Sequence, residues 1–260
     1  MLSLFLVGCA PTPVEAPREV TELATWMFAE FDGELAPGVE ELDTWLVDMP
    51  LDGDLEDRVI AMPVLSELGG ISGPVGEDPA DQLPVAVAGL SRHDIDTHFG
   101  LVAEDNLVCI ESNTTTYYRR EHLSDPDCLG SDCDRVDTEN EVHKESVIAS
   151  VWFDLFKDHR ALTLSDGRQA MVARSWIEQS YEADREGYSW DQFYTLEVWI
   201  EEGSETRRFH TVWSAVHLGP VGPDLYTTTV YKAIDEGFTN SDDFVDGELC
   251  GNDRDQLYER

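Results

Sequence analysis

The sequence predicts an α+β fold, with an N-terminal helical hairpin, an antiparallel β-meander of about five or six strands and a C-terminal helix. Apolar residues recur at helical spacing over residues 20–50. From residue 146 onward they alternate with a period of two, which is typical of strands with one buried face. Two turn sequences within that second part are typical of hairpins, and such short connections favour antiparallel pairing.

Two amphipathic helices are predicted where the globular part begins. Residues 20–33 and 38–49 each carry apolar side chains at intervals of three and four. Thr21 is the predicted N-cap of the first helix, and Pro50 stops the second. Together the helices form a hairpin that must bury its Trp-rich face against another part of the protein. The apolar positions are Leu23, Trp26, Met27 and Phe31 in the first helix and Val39, Leu42, Trp45, Leu46 and Met49 in the second.

The middle of the chain is predicted to be mostly loop with short strands. Residues 51–83 mix acidic residues with glycine and proline, and include one short strand at 59–64. The apolar run 84–90 predicts a buried strand. Residues 104–143 are irregular and polar, with a strand expected at 114–120.

The C-terminal half carries the predicted meander. Asp166-Gly167 is a strong hairpin signal, and residues 202–206 form a second polar turn. The Thr- and Tyr-rich run 225–232 predicts a last strand, and residues 233–245 predict the final helix. The other predicted strands cover residues 146–157, 161–164, 169–177, 193–201 and 207–218.

A curved antiparallel sheet closed by a C-terminal helix resembles the helix-grip layout of small-ligand-binding domains. The resemblance is one of layout and rests on no motif. It implies that one face of the sheet holds a ligand. Aromatic side chains of the sheet would either line such a pocket or fill the core, namely Trp152, Trp176, Trp199, Trp213 and Tyr194.

The run Leu6-Val7-Gly8-Cys9 resembles the lipobox of bacterial lipoproteins. The resemblance implies that Cys9 is the lipid attachment site and that residues 1–8 are a signal peptide. No Lys or Arg precedes Cys9, so we expect this signal peptide to be truncated at its start. Residues 9–19 are a Pro-rich tether of the kind that holds a domain off a surface. The alternative is an ordinary apolar N-terminus with Cys9 as a plain thiol.

The same resemblance implies a place in the bacterial cell envelope. The protein would be lipid-anchored, in the outer membrane, facing the periplasm or the cell surface, and its acidic globular part is similar to acidic envelope lipoproteins. We expect a single globular domain over residues 20–250, with the helical hairpin at 20–50 and the sheet-containing body at 84–250. Residues 251–260 form a polar tail.

The charge of the chain restricts its partners. Its 260 residues include 54 acidic and 17 basic side chains, for a net charge of −37. Nucleic-acid binding needs basic patches that displace counterions, and this composition excludes it. Anionic lipid headgroups would repel the body of the protein, so a membrane partner is expected only through the lipid anchor. Solubility explains the acidity, and cation binding is the alternative interpretation.

Five cysteines predict disulfides. If Cys9 carries lipid, four remain, and an even number in an exported protein indicates disulfide bonds. Cys128 and Cys133 enclose a short loop, so we expect them to pair, and Cys109 and Cys250 would then pair by elimination. The alternative for the first pair is zinc, which would need further ligands at recognisable spacing.

One short segment groups candidate metal ligands. His93, Asp94, Asp96 and His98 lie within six residues, and imidazole and carboxylate groups bind divalent cations. The simpler interpretation is a helix start, with Ser91 as N-cap and an i, i+4 pair between Asp94 and His98.

A second candidate is the acidic loop 125–141, which contains the predicted disulfide. Calcium takes several oxygen ligands in flexible geometry, and a loop rich in Asp and Glu could supply them. The simpler interpretation is a solvated loop held by its disulfide.

The sequence therefore predicts a lipid-anchored envelope protein without enzymatic activity, which binds a small molecule, a polymer or a protein through its sheet and needs no cofactor. One alternative is a divalent-cation-dependent enzyme or sensor, with calcium as the ion, using residues 93–98 or the acidic loop 125–141. The other is a structural surface protein. An open apolar cavity under the sheet would distinguish ligand binding from both.

Overall fold

The computed structural model describes residues 15–146, 149–219 and 222–248, apart from the side chain of Leu218. In chain order the elements are α1 (Val20–Ala29), α2 (Ala36–Leu46), α3 (Leu55–Arg58), β1 (Val59–Ala61), β2 (Leu83–Ser91), α4 (Ile95–Val102), β3 (Thr115–His122), β4 (Arg135–Glu145), β5 (Ser150–Thr163), β6 (Gln169–Trp176), β7 (Tyr181–Glu182), β8 (Tyr188–Glu202), β9 (Glu205–Leu218) and α5 (Pro223–Val245).

One antiparallel sheet organises the protein. Its strand order is β1-β2-β9-β8-β6-β5-β4-β3, with the short β7 paired to β8. The predicted α+β class, the antiparallel pairing and the C-terminal helix are confirmed. The prediction of five or six strands is wrong, because the described residues form nine.

The sheet separates two environments, as β8 shows. Successive side chains of a strand point to opposite faces. Leu196 and Val198 pack in the core beneath the helical hairpin of α1 and α2. Thr195 and Glu197 face the other way, toward α5. Each face of the sheet is therefore covered by a different helical element.

The helical hairpin buries its apolar face against the sheet, as predicted. Phe28 of α1 makes edge-on contacts with Tyr194 and Trp213, with ring centroids 5.9 and 5.8 Å apart. Such aromatic pairs add to the free energy gained by burial. The predicted N-cap is wrong, since Glu19 rather than Thr21 occupies that position and its side chain makes no capping hydrogen bond.

The strand predicted at 225–232 is wrong, because these residues form the first half of α5. The run is β-branched, which favoured a strand. Pro223 at the first helical turn is preorganised for a helix start. The hydroxyl groups of Thr228 and Thr229 donate to the carbonyl oxygens four residues earlier, at 2.8 Å each. The helix predicted at 233–245 is confirmed as the second half of α5.

Two strands differ from the prediction. Most side chains of β4 are polar, so the sequence predicts an irregular region there. The strand nevertheless pairs along its whole length with β5. Thr138 and Asn140 of β4 are buried, and their polar groups bond to backbone oxygens of β5. β5 itself runs without interruption to Thr163, where two separate strands were predicted.

Several predictions fall outside the described residues. These are the signal peptide at 1–8, Cys9, most of the tether at 9–19, Cys250 and the tail at 251–260. Among the described helices, none combines the length and the apolar character needed to cross a membrane.

Candidate ligand-binding cavity

A cavity of about 240 Å³ lies between the sheet and the N-terminal half of α5. For comparison, an engineered apolar cavity of about 150 Å³ binds benzene. We call this space the outer cavity. Its wall is mostly apolar, with contributions from β5, β8, β9 and α5, including Phe153, Leu155, Trp190, Phe193, Val212 and Ile234.

Aromatic rings form one side of the outer cavity. The rings of Trp190 and Phe193 are stacked with centroids 5.2 Å apart, and Phe153 lies 4.9 Å from Trp190. Phe153 belongs to the face of β5 that is directed toward α5. Trp190 and Phe193 lie three residues apart on β8, and a register shift between Trp190 and Gln192 brings both side chains to the cavity. This wall is apolar and aromatic, which suits it to contact a hydrophobic ligand.

Buried charges anchor the C-terminal half of α5. Asp242 accepts hydrogen bonds from Arg208 of β9 at 3.0 Å and from the hydroxyl of Ser91 at 2.7 Å. Earlier in the helix, Asp235 pairs with Arg58 at 2.5 Å. Removing one partner of a buried ion pair leaves an uncompensated charge, so these contacts hold α5 on the sheet.

The N-terminal half of α5 is held less tightly. Its Tyr226 shares a hydrogen bond of 2.7 Å with Ser214 of β9. Leu225 lines the outer cavity and is nevertheless 59% exposed. Thr229 also lines the cavity and is exposed. The cavity therefore opens to solvent along this part of the helix.

A second, smaller cavity of about 130 Å³ adjoins the first, and we call it the inner chamber. Lys157, Glu197 and His210 line both spaces and mark the boundary between them. The inner chamber is lined by several nitrogen-bearing side chains: His98, Arg120, Lys157, His159, Arg208 and His210.

A polar row crosses the sheet at this boundary. Lys157 Nζ lies 2.5 Å from Glu197 Oε1, and both side chains are largely buried. Thr195 donates to the same carboxylate at 3.4 Å and hydrogen-bonds with Ser175. Cross-strand pairing explains the row, because Lys157 lies opposite Ser175, Ser175 opposite Thr195, and Glu197 opposite His210.

The environment sets the protonation of these groups. Burial raises the pKa of Glu197, but the charge of Lys157, its hydrogen bond and the charge of Arg120 outweigh burial and hold the pKa below its usual value. Burial lowers the pKa of His210, and it lowers that of His98 to about 3, with help from the charge of Arg208. At neutral pH the carboxyl group of Glu197 is therefore ionised and both imidazoles are neutral.

The four candidate metal ligands do not converge. Asp94 caps α4 by accepting from the backbone N–H of Thr97 at 3.0 Å, so the helix-start interpretation is confirmed with Asp94 as N-cap instead of Ser91. Asp96 is exposed, and His93 lies near Asp246. His98 points into the inner chamber. Within the described residues, no three His, Cys, Asp or Glu side chains are grouped so that they could hold a metal ion.

The cysteine loop has the predicted covalent link. Cys128 and Cys133 form a disulfide, which confirms that pairing. Cys109 is disulfide-bonded as well. Because Cys250 lies outside the described residues, the pairing of Cys109 with Cys250 stays a prediction. In the acidic loop 125–141, Arg135 pairs with Asp137 at 2.7 Å.

Sequence reasoning missed the polar residues of the cavity floor. Lys157 continues the buried series of β5 that includes Phe153 and Leu155, and Glu197 occupies an equivalent place in β8. Alternation along each strand predicts an apolar side chain at both positions. The charged residue found there instead was the signal by which sequence analysis could have identified the cavity floor. Of the predicted aromatic residues, Trp199 lines the inner chamber, whereas Trp213 belongs to the core under the hairpin.

Fold and site together define a helix-grip domain, in which an antiparallel sheet holds a C-terminal helix above an internal cavity. No family model matches the sequence, and no curated protein matches it.

Several solved structures are similar to part of this chain. A STAR-related lipid transfer protein fragment from Xanthomonas axonopodis is similar with a TM-score of 0.44 and 10% identity, over 63% of this chain and 85% of that one. A START superfamily protein from Mycobacterium smegmatis gives 0.41 and 9%, over 63% and 97%. The Zhui aromatase/cyclase from Streptomyces sp. R1128 gives 0.37 and 11%, over 64% and 92%.

Proposed function

We propose that this protein binds a small apolar molecule, such as a lipid, in the outer cavity. The observation that carries the proposal is an apolar cavity of about 240 Å³ beneath a helix that leaves its mouth open. Protein interiors are normally packed with few voids larger than a water molecule. A retained apolar space with access to solvent is therefore typical of a ligand site.

The polar groups at the floor support binding rather than catalysis. Lys157 and Glu197 form a close ion pair, which holds the pKa of Glu197 below its usual value. A general acid or base near neutral pH needs a pKa close to the working pH, and the pKa shifts of Glu197 and His98 move away from it.

We further propose that the domain is attached to the bacterial cell envelope through a lipid on Cys9. The lipobox-like residues before Cys9 and the Pro-rich tether after it support this location. The disulfide between Cys128 and Cys133 is consistent with an oxidising compartment. Intact-mass spectrometry of the membrane fraction tests the proposal, and an unmodified Cys9 with residues 1–8 still attached would contradict it.

Binding is tested with the uncharged dye N-phenyl-1-naphthylamine, whose fluorescence rises in apolar surroundings. We expect saturable binding to the full chain. Val230→Trp should abolish it, because Val230 lines the outer cavity and the indole would fill the space. Val75→Trp is the matched control, since Val75 is 99% exposed and lies elsewhere. No saturable binding, or equal binding by both variants, would refute the proposal.

A further inference from the structure

The inner chamber has a charge character opposite to that of the protein as a whole. The chain carries a net charge of −37. Three cationic side chains nevertheless line this one space, namely Arg120, Lys157 and Arg208. The carboxylates among its lining residues are Glu111 and Glu197.

Those two carboxylates are already paired with cations. Glu197 is bound by Lys157 at 2.5 Å. Glu111 is bound by Lys144 at 3.3 Å. Each carboxylate therefore has a lysine as its salt-bridge partner, and the charge of Arg120 acts on Glu197 only from beyond salt-bridge distance.

The two arginines differ in how their charge is balanced. Arg208 is paired with Asp242 at 3.0 Å. Arg120 is only 5% exposed and forms no salt bridge with any described residue. Its guanidinium donates to the carbonyl oxygens of Leu101 and Val102 at the end of α4 and to the side-chain oxygen of Asn140. The groups that contact this buried positive charge are thus neutral carbonyl and amide oxygens and not a carboxylate.

Unused hydrogen-bonding groups also surround this chamber. The Nε2 atoms of His98 and His210 and the Nε atom of Arg208 are fully buried and have no hydrogen-bond partner among the described residues. Buried polar atoms are nearly always hydrogen-bonded in folded proteins. The Nε atom of Arg208 can only donate, and each Nε2 atom donates in the tautomer that carries its proton there, so an occupant with hydrogen-bond acceptors would satisfy all three atoms.

We propose that the inner chamber binds the carboxylate of an apolar ligand whose hydrocarbon part lies in the outer cavity. This inference rests on the proposed function, since it assigns the polar end of the same ligand. The guanidinium of Arg120, which has no salt bridge within the described residues, matches one negative charge, and the two carboxylate oxygens can accept hydrogen bonds from Arg208 Nε–H and from imidazoles protonated at Nε2. An ammonium group would be repelled by Arg120, and a hydroxyl would leave its charge without a counterion.

Isothermal titration of the full chain with dodecanoate and with dodecan-1-ol tests the inference, because these probes share a chain and differ in the head group. We expect dodecanoate to bind at least about tenfold more tightly than the alcohol. His210→Leu should remove most of that difference by weakening dodecanoate binding alone. His210→Gln is the matched control, because its amide keeps a donor and should restore the preference.

Stability separates this role from a structural one. The imidazole Nε2 of His210 has no partner to lose, so His210→Leu should melt no lower than the wild type. His98→Leu provides a second variant with the same expected effect on dodecanoate. Two results would overturn the inference and leave the apolar cavity function standing. One is equal affinity of the wild type for dodecanoate and dodecan-1-ol. The other is an equal loss of affinity for the two probes in each leucine variant. Failure of the wild type to bind either probe would overturn the proposed function itself.

Discussion

Lys157 of β5 and Glu197 of β8 form a buried ion pair, with Nζ and Oε1 2.5 Å apart, at the boundary between the outer cavity and the inner chamber. The strand β6 lies between their two strands, so the pair spans it above Ser175. Both side chains face a largely apolar surface, where an unpaired charge is costly. The pair therefore ties the central strands together while keeping a polar floor under the cavity.

Removing one member of the Lys157–Glu197 pair should destabilise the folded protein. Lys157→Met leaves Glu197 charged and buried without its partner, and we expect a loss of about 3–5 kcal/mol in the free energy of unfolding. The double variant Lys157→Met/Glu197→Gln removes both charges and should recover most of that loss. Urea denaturation at pH 7 provides the measurement. Equal stability of the single variant and the wild type would show that the pair contributes nothing.

Asp242 should matter far more to α5 than its neighbour Asp243. Asp242→Ala leaves Arg208 buried without a counterion, with an expected loss of about 3–5 kcal/mol. Asp243 pairs with Arg92 on the surface, where solvent screens the pair, so Asp243→Ala should cost far less stability and is the matched control. Thermal and urea denaturation of both variants measure these losses of stability. Similar losses in the two variants would contradict the anchoring role of Asp242.

His98 should make the protein less stable in mild acid. In the folded state burial lowers its pKa to about 3, whereas in the unfolded chain the imidazole titrates near its ordinary value of 6.5. Between these values only the unfolded chain binds the proton, so stability is fully present above about pH 6.5 and falls as the pH drops toward 3. Each pH unit in this window costs about 1.4 kcal/mol for such a group.

The effect of His98 on stability can be separated from that of the many carboxylates by comparing a His98 variant with the wild type at two pH values. When the pH is lowered from 7 to 5, the unfolding free energy of His98→Leu minus that of the wild type should increase by about 2 kcal/mol. Urea denaturation of both proteins at the two pH values provides the comparison. A constant difference between the two proteins would show that His98 binds its proton equally well in the folded and unfolded states.

The Cys128–Cys133 disulfide should give a modest stabilisation. It closes a loop with a sequence separation of 5, and loop-closure entropy for so short a loop amounts to about 2 kcal/mol. The double variant Cys128→Ser/Cys133→Ser is expected to lose that much by urea denaturation under oxidising conditions. When both proteins are reduced, the wild type and the variant should have equal stability, because reduction also opens the disulfide of Cys109 in each of them. A larger loss in the variant under oxidising conditions would point to a role for the loop beyond its cross-link.

Local patterns in the sequence predicted a large part of the fold. The hairpin helices were found because Leu23, Met27 and Phe31 recur at helical spacing, and these side chains are fully buried. The turn at Asp166-Gly167 was found because such a dipeptide suits a hairpin, and it joins β5 to β6. The Cys128–Cys133 pair was found from its short spacing alone. In each case the deciding interactions lie within a few residues of one another.

The first half of α5 shows where local patterns mislead. Thr228, Thr229 and Val230 favour a strand by composition, yet they form a helix because the sheet beneath them buries residues at helical spacing, such as Ile234. The strand β4 was missed for the converse reason. Its polar side chains acquire partners on β5, and these are invisible until the two strands are paired.

The sequence by itself determined the secondary-structure class, the hairpin, most strands and one disulfide, because periodicity and turn chemistry are local properties. Only the tertiary structure decided the site. Arg120, Lys157, Glu197, Arg208 and His210 come from four strands and stand far apart in the chain. Strand order and register bring them to one face of the sheet, and burial then turns ordinary polar residues into the floor and inner chamber of a cavity.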